Sequence, residues 1–404
     1  MLIVQKYGGS SVANTERILN VARRIANTRN AGHKVVVVLS AQGDVTDELL
    51  QKAREISPDP AKRELDMLLA TGEQQSVAIM AMALHSLGQA AISLNAVQVG
   101  IESTSLHGNA RIKRIQTERV QAELEKNNIV LIAGFQGVNR YGDITTLGRG
   151  ASDTTAVALA AVLGADMCEI YTDVDGVYTA DPRKVKSAKK LAAISYDEML
   201  ELASLGAQVL HNRAVEMAKR YRVKLVVRSS MTDAEGTLIK EEAAVEKMHV
   251  SGVAIDKNAA LITVAGLLDR PGVAYQIFSL LAKEKISVDI VTLSVGNGST
   301  QDYSFTVTKD DLEKALTILE ANRETIDYNM VSYNDKIAKL SIVGAGMATD
   351  FGVASGMFEA LYDCGVNIIL ISTSEIKISV LVEEKYVERA AEAIHDKFFE
   401  VMGK

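Results

Sequence analysis

Short apolar runs and longer amphipathic stretches alternate along the first 230 residues of the chain. The apolar runs predict buried strands at Leu2–Gln5, Lys34–Leu39, Ile129–Ala133, Met167–Thr172 and Lys224–Arg228. The stretches with apolar residues at helical spacing predict helices at Thr15–Arg29, Arg63–Leu87, Ile112–Asn127, Thr154–Leu163 and Tyr196–Tyr221. Strands that are apolar on both faces and separated by helices indicate an α/β domain with a mostly parallel sheet flanked by helices.

An internal repeat occupies the last 150 residues. Gly272-Val273-Ala274, Phe278, Leu281 and Ile286 recur 80 positions later as Gly352-Val353-Ala354, Phe358, Leu361 and Val366. Each copy predicts the order βαββαβ, which is typical of a ferredoxin-like module.

The second copy of the repeat has one strand fewer than the first, because the chain ends at Lys404. A spare strand, Val250–Ile255, precedes the first copy, and we expect it to pair into the sheet of the second copy. The predicted domains are therefore residues 1–245, 260–332 and 333–404, the last completed by the strand at 250–255.

Composition narrows the class of protein. The 404 residues are 48% hydrophobic and 24% charged, which is typical of globular domains and excludes long disorder, collagen or coiled coil as the main architecture. The net charge of −7 disfavours non-specific binding to nucleic acid, which requires a basic surface. Any anion must therefore be bound by local groups.

Cysteine usage and the apolar runs predict a cytoplasmic protein. Cys168 and Cys364 lie too far apart in sequence for a metal motif and indicate free thiols in a reducing compartment. No signal-peptide pattern begins the chain, and the longest apolar stretch, Ala156–Ala165, is too short to span a membrane.

A glycine-containing loop, Lys6-Tyr7-Gly8-Gly9-Ser10-Ser11-Val12, follows the first predicted strand. Glycines allow backbone N–H groups to approach a phosphate, and a lysine supplies the positive charge that phosphoryl transfer needs. The loop matches neither a Walker A motif nor G-x-G-x-x-G. Taken alone, it is equally compatible with a tight turn and a surface lysine.

A second loop, Thr146–Thr155, contains Arg149, Ser152 and Asp153 and leads into a predicted helix. Arginine and hydroxyl groups at a helix N-terminus suit a carboxylate or a phosphate. Asp153 is compatible with a helix cap or with a partner that orients Lys6.

Further polar residues stand at the ends of predicted strands or within helices. The segment Tyr171–Arg183 follows a strand, and the carboxyl ends of strands are where α/β sheets bind ligands. Taken alone, its Asp175-Gly176 is a turn signal, and Glu73 would be a solvated helix residue.

Taken together, the segments KYGGSSV, VVVLSAQGDVTDEL, MLLATGE, AGFQGVN, TLGRGASDTTA, EIYTDVDGVYTADPR and LVVRSS resemble the aspartate kinase family of the amino-acid kinase superfamily. The C-terminal repeat resembles the paired ACT domains of that family. The resemblance covers essentially the whole chain. It implies Mg²⁺-dependent transfer of the γ-phosphoryl group of ATP to the side chain of L-aspartate, in the biosynthesis of lysine, threonine and methionine.

The resemblance also implies roles for individual residues, with Mg²⁺ held mainly by phosphate oxygens and no protein metal site. The implied catalytic residues are Lys6 and Asp153. The implied aspartate contacts are Ser40, Thr46, Glu73, Phe135, Arg149, Gly150 and Ser152. The implied ATP contacts are Lys6, Tyr7, Gly8, Gly9, Ser40, Thr172, Asp173, Tyr178, Asp181, Arg183 and Gln208.

ACT domains imply feedback inhibition by lysine, threonine or both, and assembly into a homo-oligomer. The implied effector contacts are Asp269, Gly272, Val273, Ala274, Val353, Ala354, Asn367, Ile368, Ser372, Thr373 and Ser374. Met248 is compatible with the start of a shorter subunit that contains only the ACT pair, and equally with an ordinary methionine.

Several positions depart from the family pattern. Ala151 replaces a glycine and would be strained if its φ were positive, and Gln208 replaces a lysine. Leu293 and Phe351 replace a glutamine and a proline near the effector loops, so we expect at least one effector site to be weak. His211 is expected to be structural or part of the nucleotide pocket, since a carboxylate acceptor needs no base. Two alternatives stay open: another carboxylate or carbamate kinase, and a catalytically weak amino-acid sensor.

Overall fold

The computed structural model describes residues 1–205, 209–241, 250–295, 300–345, 347 and 352–399. Gln208, Met248 and Phe351 lie outside these ranges. Contacts divide the chain into two units. The first comprises residues 1–178, 190–204 and the described part of 208–247, and the second comprises 179–189, Leu205 and the described residues beyond 248.

The first unit contains twelve strands and eight α-helices among its described residues. The strands are β1 Leu2–Tyr7, β2 Lys34–Leu39, β3 Ala91–Leu94, β4 Ile101–Ser103, β5 Ile112–Ile115, β6 Ile129–Ala133, β7 Gln136–Val138, β8 Ile144–Thr146, β9 Met167–Thr172, β10 Ala193–Ser195, β11 Leu225–Ser229 and β12 Thr237–Lys240. The helices are α1 Thr15–Asn30, α2 Val45–Ile56, α3 Lys62–Ser86, α4 Ala96–Val99, α5 Glu118–Glu125, α6 Ser152–Leu163, α7 Tyr196–Ser204 and α8 Asn212–Tyr221.

A sheet in the order β10-β12-β11-β9-β1-β2-β6-β3 forms the centre of the first unit. The strands from β11 to β3 pair in parallel, and β12 pairs antiparallel with β11. The central strands are buried on both faces, as the uninterrupted valines of β2 predict. A smaller sheet has the order β5-β4-β7-β8. The predicted α/β class, with its parallel-rich sheet between helices, is confirmed.

Two long predicted helices are wrong in the structure. The stretch Ile112–Asn127 contains strand β5 followed by helix α5. The stretch Tyr196–Tyr221 contains two helices, α7 and α8. Helix α7 does begin with the capping box that its sequence indicates, because the Ser195 backbone N–H donates to Glu198 Oε2 at 3.0 Å and the Glu198 N–H donates to Ser195 Oγ at 3.3 Å.

The second unit is built around one continuous sheet with the order β14-β15-β13-β16-β18-β17. Its strands are β13 Gly252–Leu268, β14 Val291–Val295, β15 Thr300–Val307, β16 Met330–Val343, β17 Leu370–Thr373 and β18 Lys377–Glu383. Its helices are α9 Val273–Lys283, α10 Lys309–Ala321, α11 Arg323–Ile326, α12 Val353–Asp363 and α13 Val387–Phe399.

Strands β13 and β16 join the two repeat copies. The early part of β13 pairs antiparallel with the late part of β16, with Val253 opposite Ile342. The late part of β13 pairs with β15 of the first copy, with Ile262 opposite Phe305. The spare strand expected from the sequence thus lies in the sheet half of the second copy, where it continues without interruption into the first copy.

The segment Thr179–Lys189 folds with the second unit. Its Ala180 and Val185 belong to the apolar core formed by α12, α13 and the β16–β18 half of the sheet. Among the described residues of the whole chain, none of the helices has the length and apolar character needed to cross a membrane.

Candidate functional site

The carboxyl ends of four central strands lie at one edge of the large sheet, because β9, β1, β2 and β6 pair in parallel. The chain leaves these strands at Thr172, Tyr7, Leu39 and Ala133. Open α/β sheets bind ligands at this edge. The loops that the sequence singles out therefore start from neighbouring strands.

Lys6 and Asp153 form a buried ion pair at this edge. Lys6 Nζ lies 2.7 Å from Asp153 Oδ1, and the two side chains are only 11% and 8% exposed. Asp153 stands in the first turn of α6, where the helix dipole favours a negative charge. The His211 backbone N–H donates to the other oxygen, Oδ2, at 3.2 Å. The fold thus fixes the Lys6 ammonium group at a largely buried position.

Gly9 packs where no side chain fits. A Cβ at Gly9 would lie 2.7 Å from the carbonyl oxygen of Ala41, and its own carbonyl accepts from Gly43 N–H at 3.0 Å. A Cβ at Gly8 would lie 3.5 Å from Lys6 Nζ. The two glycines keep the loop close to the segment after β2 and place no side chain against the lysine ammonium.

The carboxylate of Glu73 lies next to the segment that packs against Gly9, and one of its oxygens can still accept a hydrogen bond. The Ala41 backbone N–H donates to Glu73 Oε1 at 3.1 Å. The other oxygen, Oε2, is buried and finds no hydrogen-bond partner among the described residues. Burial raises the pKa of Glu73 to about 7. A buried carboxylate oxygen without a donor is suited to a cationic ligand group.

The loop between β8 and α6 relies on glycines for its shape. Gly148 and Gly150 have φ values of +93° and +74°, which disfavour other residues. Ala151 has a φ of −74°, so the alanine at this position is unstrained. Ser152 packs against Gly134, since a Cβ there would lie 2.7 Å from the serine Oγ.

Arg149, between the two glycines, extends into solvent with a side chain that is 73% exposed. Its Nη2 lies 2.6 Å from Asp47 Oδ1 of helix α2. The neighbouring Thr46 is half-buried at the start of the same helix. The guanidinium of Arg149 is therefore accessible and already paired with a carboxylate.

Phe135 adopts an unusual backbone conformation directly after β6. Its φ is +67°, although the side chain is buried. Its carbonyl accepts a 2.8 Å hydrogen bond from the Leu147 N–H. Strain of this kind persists only where the surroundings fix the chain, and it is concentrated at functional sites.

The residues implied for ATP fall into two groups. Thr172 and Asp173 follow β9 and hydrogen-bond to each other at 3.0 Å, while the Tyr178 hydroxyl donates to Asp175. Tyr7 differs from expectation, because its ring is fully buried and stacks on Tyr171. The Tyr7 carbonyl accepts a 3.1 Å hydrogen bond from the Ser40 N–H, so Tyr7 is a core residue of the sheet.

Asp181 and Arg183 belong to the segment that folds with the second unit. The Arg183 guanidinium contacts both Asp181 oxygens at 3.0 Å. Pro182 and Arg183 are exposed, while Asp181 and Lys184 are half-buried.

His211 has a structural position. Its Nδ1 accepts from the Arg213 N–H at 3.3 Å and caps helix α8. A Cβ at Gly150 would lie 2.9 Å from its ring. Burial lowers the pKa of His211 below its usual value.

Two charged residues near the β8–α6 loop escaped the sequence analysis. Asp66 is buried on α3 and accepts from Thr146 Oγ1 at 2.6 Å. Arg213 Nη1 donates to the Leu147 carbonyl at 2.6 Å. The only available signal was that Asp66 lies two helical turns before Glu73, on the same face of the helix.

The implied effector residues of the second unit lie in loops, in the first turns of α9 and α12, and at the end of β17. Asp269 and Gly272 are exposed before α9, and Gly272 has a φ of +97°. Asn367 is exposed before β17, and Ser374 turns the chain from β17 to β18 by accepting from Lys377. Leu293 on the edge strand β14 is 54% exposed and offers no side-chain hydrogen bond.

Comparison with protein families identifies both parts of the chain. Residues 1–229 match the amino acid kinase family, and residues 262–322 and 340–398 match the ACT domain. The aspartokinase of Bacillus sp. strain MGA3 is 52% identical over 398 residues, which cover 98% of this chain and 97% of that protein. The aspartokinase of Corynebacterium glutamicum is 50% identical, with 98% and 96% of the two chains covered.

Solved structures give the same result. E. coli aspartokinase III in complex with aspartate and ADP superposes with a TM-score of 0.83 at 25% identity, covering 99% of this chain and all of that chain. The same enzyme with lysine and aspartate gives a TM-score of 0.78 at 25% identity, covering 98% and 99%. With these matches along its whole length, the chain belongs to the aspartokinase family, allosteric phosphotransferases of amino-acid biosynthesis that use a carboxyl group as acceptor.

Proposed function

We propose that this aspartokinase transfers the γ-phosphoryl group of ATP to the side-chain carboxylate of L-aspartate and forms 4-phospho-L-aspartate. A carboxylate oxygen bonds to the γ-phosphorus while the bond between that phosphorus and the bridging oxygen breaks, and ADP leaves. The acceptor is already ionised, so no base has to remove a proton. The observation that supports this reaction best is the buried Lys6–Asp153 pair at the carboxyl edge of the sheet.

Lys6 would stabilise the charge that develops on the transferring phosphoryl oxygens. Phosphoryl transfer depends mainly on positioning and electrostatic stabilisation. Asp153 holds the ammonium in place at 2.7 Å, so little reorganisation is needed during the reaction. The backbone N–H groups of Gly8 and Gly9 are the proposed phosphate donors.

Glu73 and Arg149 would recognise the two charged ends of the amino acid. Oε2 of Glu73, which has no hydrogen-bond partner among the described residues, is the proposed partner of the substrate ammonium group. Arg149 would bind a carboxylate of aspartate and exchange its present partner, Asp47, for it. Ser40, Thr46, Phe135, Gly150 and Ser152 complete the proposed aspartate contacts.

The nucleotide assignments stay predictions from the family resemblance. Besides Lys6, Tyr7, Gly8, Gly9 and Ser40, they comprise Thr172, Asp173, Tyr178, Asp181, Arg183 and Gln208. The family resemblance also predicts Mg²⁺ carried mainly by phosphate oxygens and water, where it would neutralise phosphate charge.

For regulation, we propose that lysine, threonine or both bind the ACT loops and inhibit the pathway to lysine, threonine and methionine. The domain limits 1–245, 260–332 and 333–404, the homo-oligomer, the short subunit from Met248 and the cytoplasmic location stay predictions. Leu293 makes one effector site weak in this proposal. Titration calorimetry of Leu293→Gln should show tighter effector binding than the wild type, and tight wild-type binding that the variant leaves unchanged would contradict it.

A coupled assay of ADP release tests the catalytic proposal. We expect ADP release that depends on both L-aspartate and Mg²⁺. A panel with glutamate and carbamate separates this activity from that of another carboxylate or carbamate kinase. An absence of aspartate-dependent turnover in folded protein would instead favour the amino-acid sensor.

A further inference from the structure

A buried carboxylate lies beneath the start of the Arg149 loop. Asp66 stands on α3 with only 1% of its side chain exposed. It accepts a 2.6 Å hydrogen bond from Thr146 Oγ1, and the Gly108 N–H donates to both of its oxygens at 3.1 and 3.0 Å. His107 Nδ1 lies 2.8 Å from Oδ2. Several hydrogen bonds to one charged acceptor fix the position of the Asp66 carboxylate.

A guanidinium holds the same loop from another helix. Arg213, in the first turn of α8, donates from Nη1 to the Leu147 carbonyl at 2.6 Å. Its Nη2 donates to the Ala110 carbonyl at 3.1 Å. The Ala110 N–H in turn donates to the Thr146 carbonyl at 2.9 Å. Segment 107–110 is therefore tied directly to Thr146 at its Ala110 end, and through Asp66 at its Gly108 end.

These contacts constrain a loop that has little rigidity of its own. Gly148 and Gly150 flank Arg149, and glycine has the greatest backbone freedom of all residues. The last fixed point before them is therefore Leu147, whose side chain is fully buried beside Phe135 and Ala151. A shift of Thr146 or Leu147 would displace the fixed end from which the loop with Arg149 extends, and a displacement of about 1 Å is enough to reduce catalysis strongly.

We propose that Asp66 and Arg213 are positioning residues that orient Arg149 for the carboxylate of the substrate. In this proposal they contact neither substrate nor nucleotide and act by fixing Thr146 and Leu147. This inference rests on the proposed binding of aspartate by Arg149. It predicts a change in the KM for aspartate, since the proposed nucleotide contacts lie on other loops.

The sharpest test removes a single hydroxyl group. Thr146→Val deletes the 2.6 Å hydrogen bond to Asp66 while keeping the size of the side chain. We expect the KM for aspartate to rise about tenfold, the equivalent of one hydrogen bond to a charged group. The KM for ATP should stay within about twofold, and Thr146→Ser should restore the wild-type value.

The adjacent residue provides a matched control. Thr145 is equally buried in β8, but its hydroxyl pairs with Ser103 Oγ at 2.7 Å on the opposite side of the strand. Thr145→Val should therefore leave both KM values close to wild type. Arg213→Lys, which keeps the charge but loses the fork geometry, should raise the KM for aspartate.

The outcomes separate this inference from the function on which it rests. If the wild-type protein shows no aspartate-dependent ADP release, the proposed function fails. If it does, and Thr146→Val changes both KM values equally or neither of them, the positioning roles are wrong. A similar effect of Thr145→Val would show that the change reflects general destabilisation of β8 and would also overturn the inference.

Discussion

The Glu73→Gln variant tests how a buried carboxylate affects the stability of this protein and its affinity for substrate. The substitution keeps the shape of the side chain and the oxygen that accepts from Ala41 N–H. It removes the negative charge of a carboxylate whose second oxygen, Oε2, has no hydrogen-bond partner among the described residues. The variant should lose substrate affinity and gain stability above neutral pH.

The magnitude follows from the pKa of Glu73, which burial raises from 4.5 to about 7. A carboxyl group with a raised pKa favours the folded state while it is protonated, and this advantage is lost as the pH rises from the unfolded to the folded pKa. A shift of this size corresponds to about 3 kcal/mol at 1.36 kcal/mol per pH unit. The variant has no carboxyl group to ionise at this position. The difference between its free energy of unfolding and that of the wild type should therefore grow by about 2 to 3 kcal/mol between about pH 5 and pH 8.

Urea unfolding of both proteins at several pH values measures this difference. Parallel stability curves, within about 0.5 kcal/mol, would refute the reasoning, because the carboxyl group would then not titrate in this range. Glu64→Gln, on the exposed face of the same helix, is the control and should change little. In steady-state kinetics at about pH 8, Glu73→Gln should lower kcat/KM for aspartate by about 100-fold, because the ammonium group loses its charged partner.

Three further predictions concern charge and backbone. Lys6→Met should lower kcat by at least about 100-fold, because the transferring phosphoryl group loses its cationic partner; Lys34→Met, at the exposed start of β2, should not, and a kcat within a few-fold of wild type for Lys6→Met would contradict the role. Asp47→Asn should lower the KM for aspartate by at most about fivefold, since exposed ion pairs are weak and Asp47 competes for Arg149; an increased KM would count against this competition. Lys285→Gly should stabilise the protein by about 0.5–1 kcal/mol in thermal unfolding, because Lys285 has a φ of +61°, and a lower stability would show that its backbone is unstrained.

Local sequence patterns correctly predicted the strands that consist of consecutive apolar residues. The strands Lys34–Leu39, Ile129–Ala133 and Met167–Thr172 have the predicted limits. These strands are apolar on both faces, and the interior of a parallel sheet is the environment that covers both faces. The pairing of Lys6 with Asp153 could be considered from the sequence, because each residue stands where a strand ends or a helix begins.

The patterns failed where the tertiary environment overrides local preference. Ile112–Ile115 has apolar residues at both ends and is compatible with a helical face, yet it forms a strand, since β4 provides a pairing partner. The family resemblance implies that Tyr7 contacts ATP. Period-two alternation along β1 instead directs its ring into the core, against Tyr171.

By itself, the sequence determined most of the elements, the order of the domains and the residue types that phosphoryl transfer requires, because burial patterns and loop chemistry are local properties. The tertiary structure decided which charges meet. Asp66 comes to lie beneath Thr146 and Arg213 beside Leu147, each across a long separation in sequence. No periodicity encodes such contacts, since they depend on how helices α3 and α8 pack around the same loop.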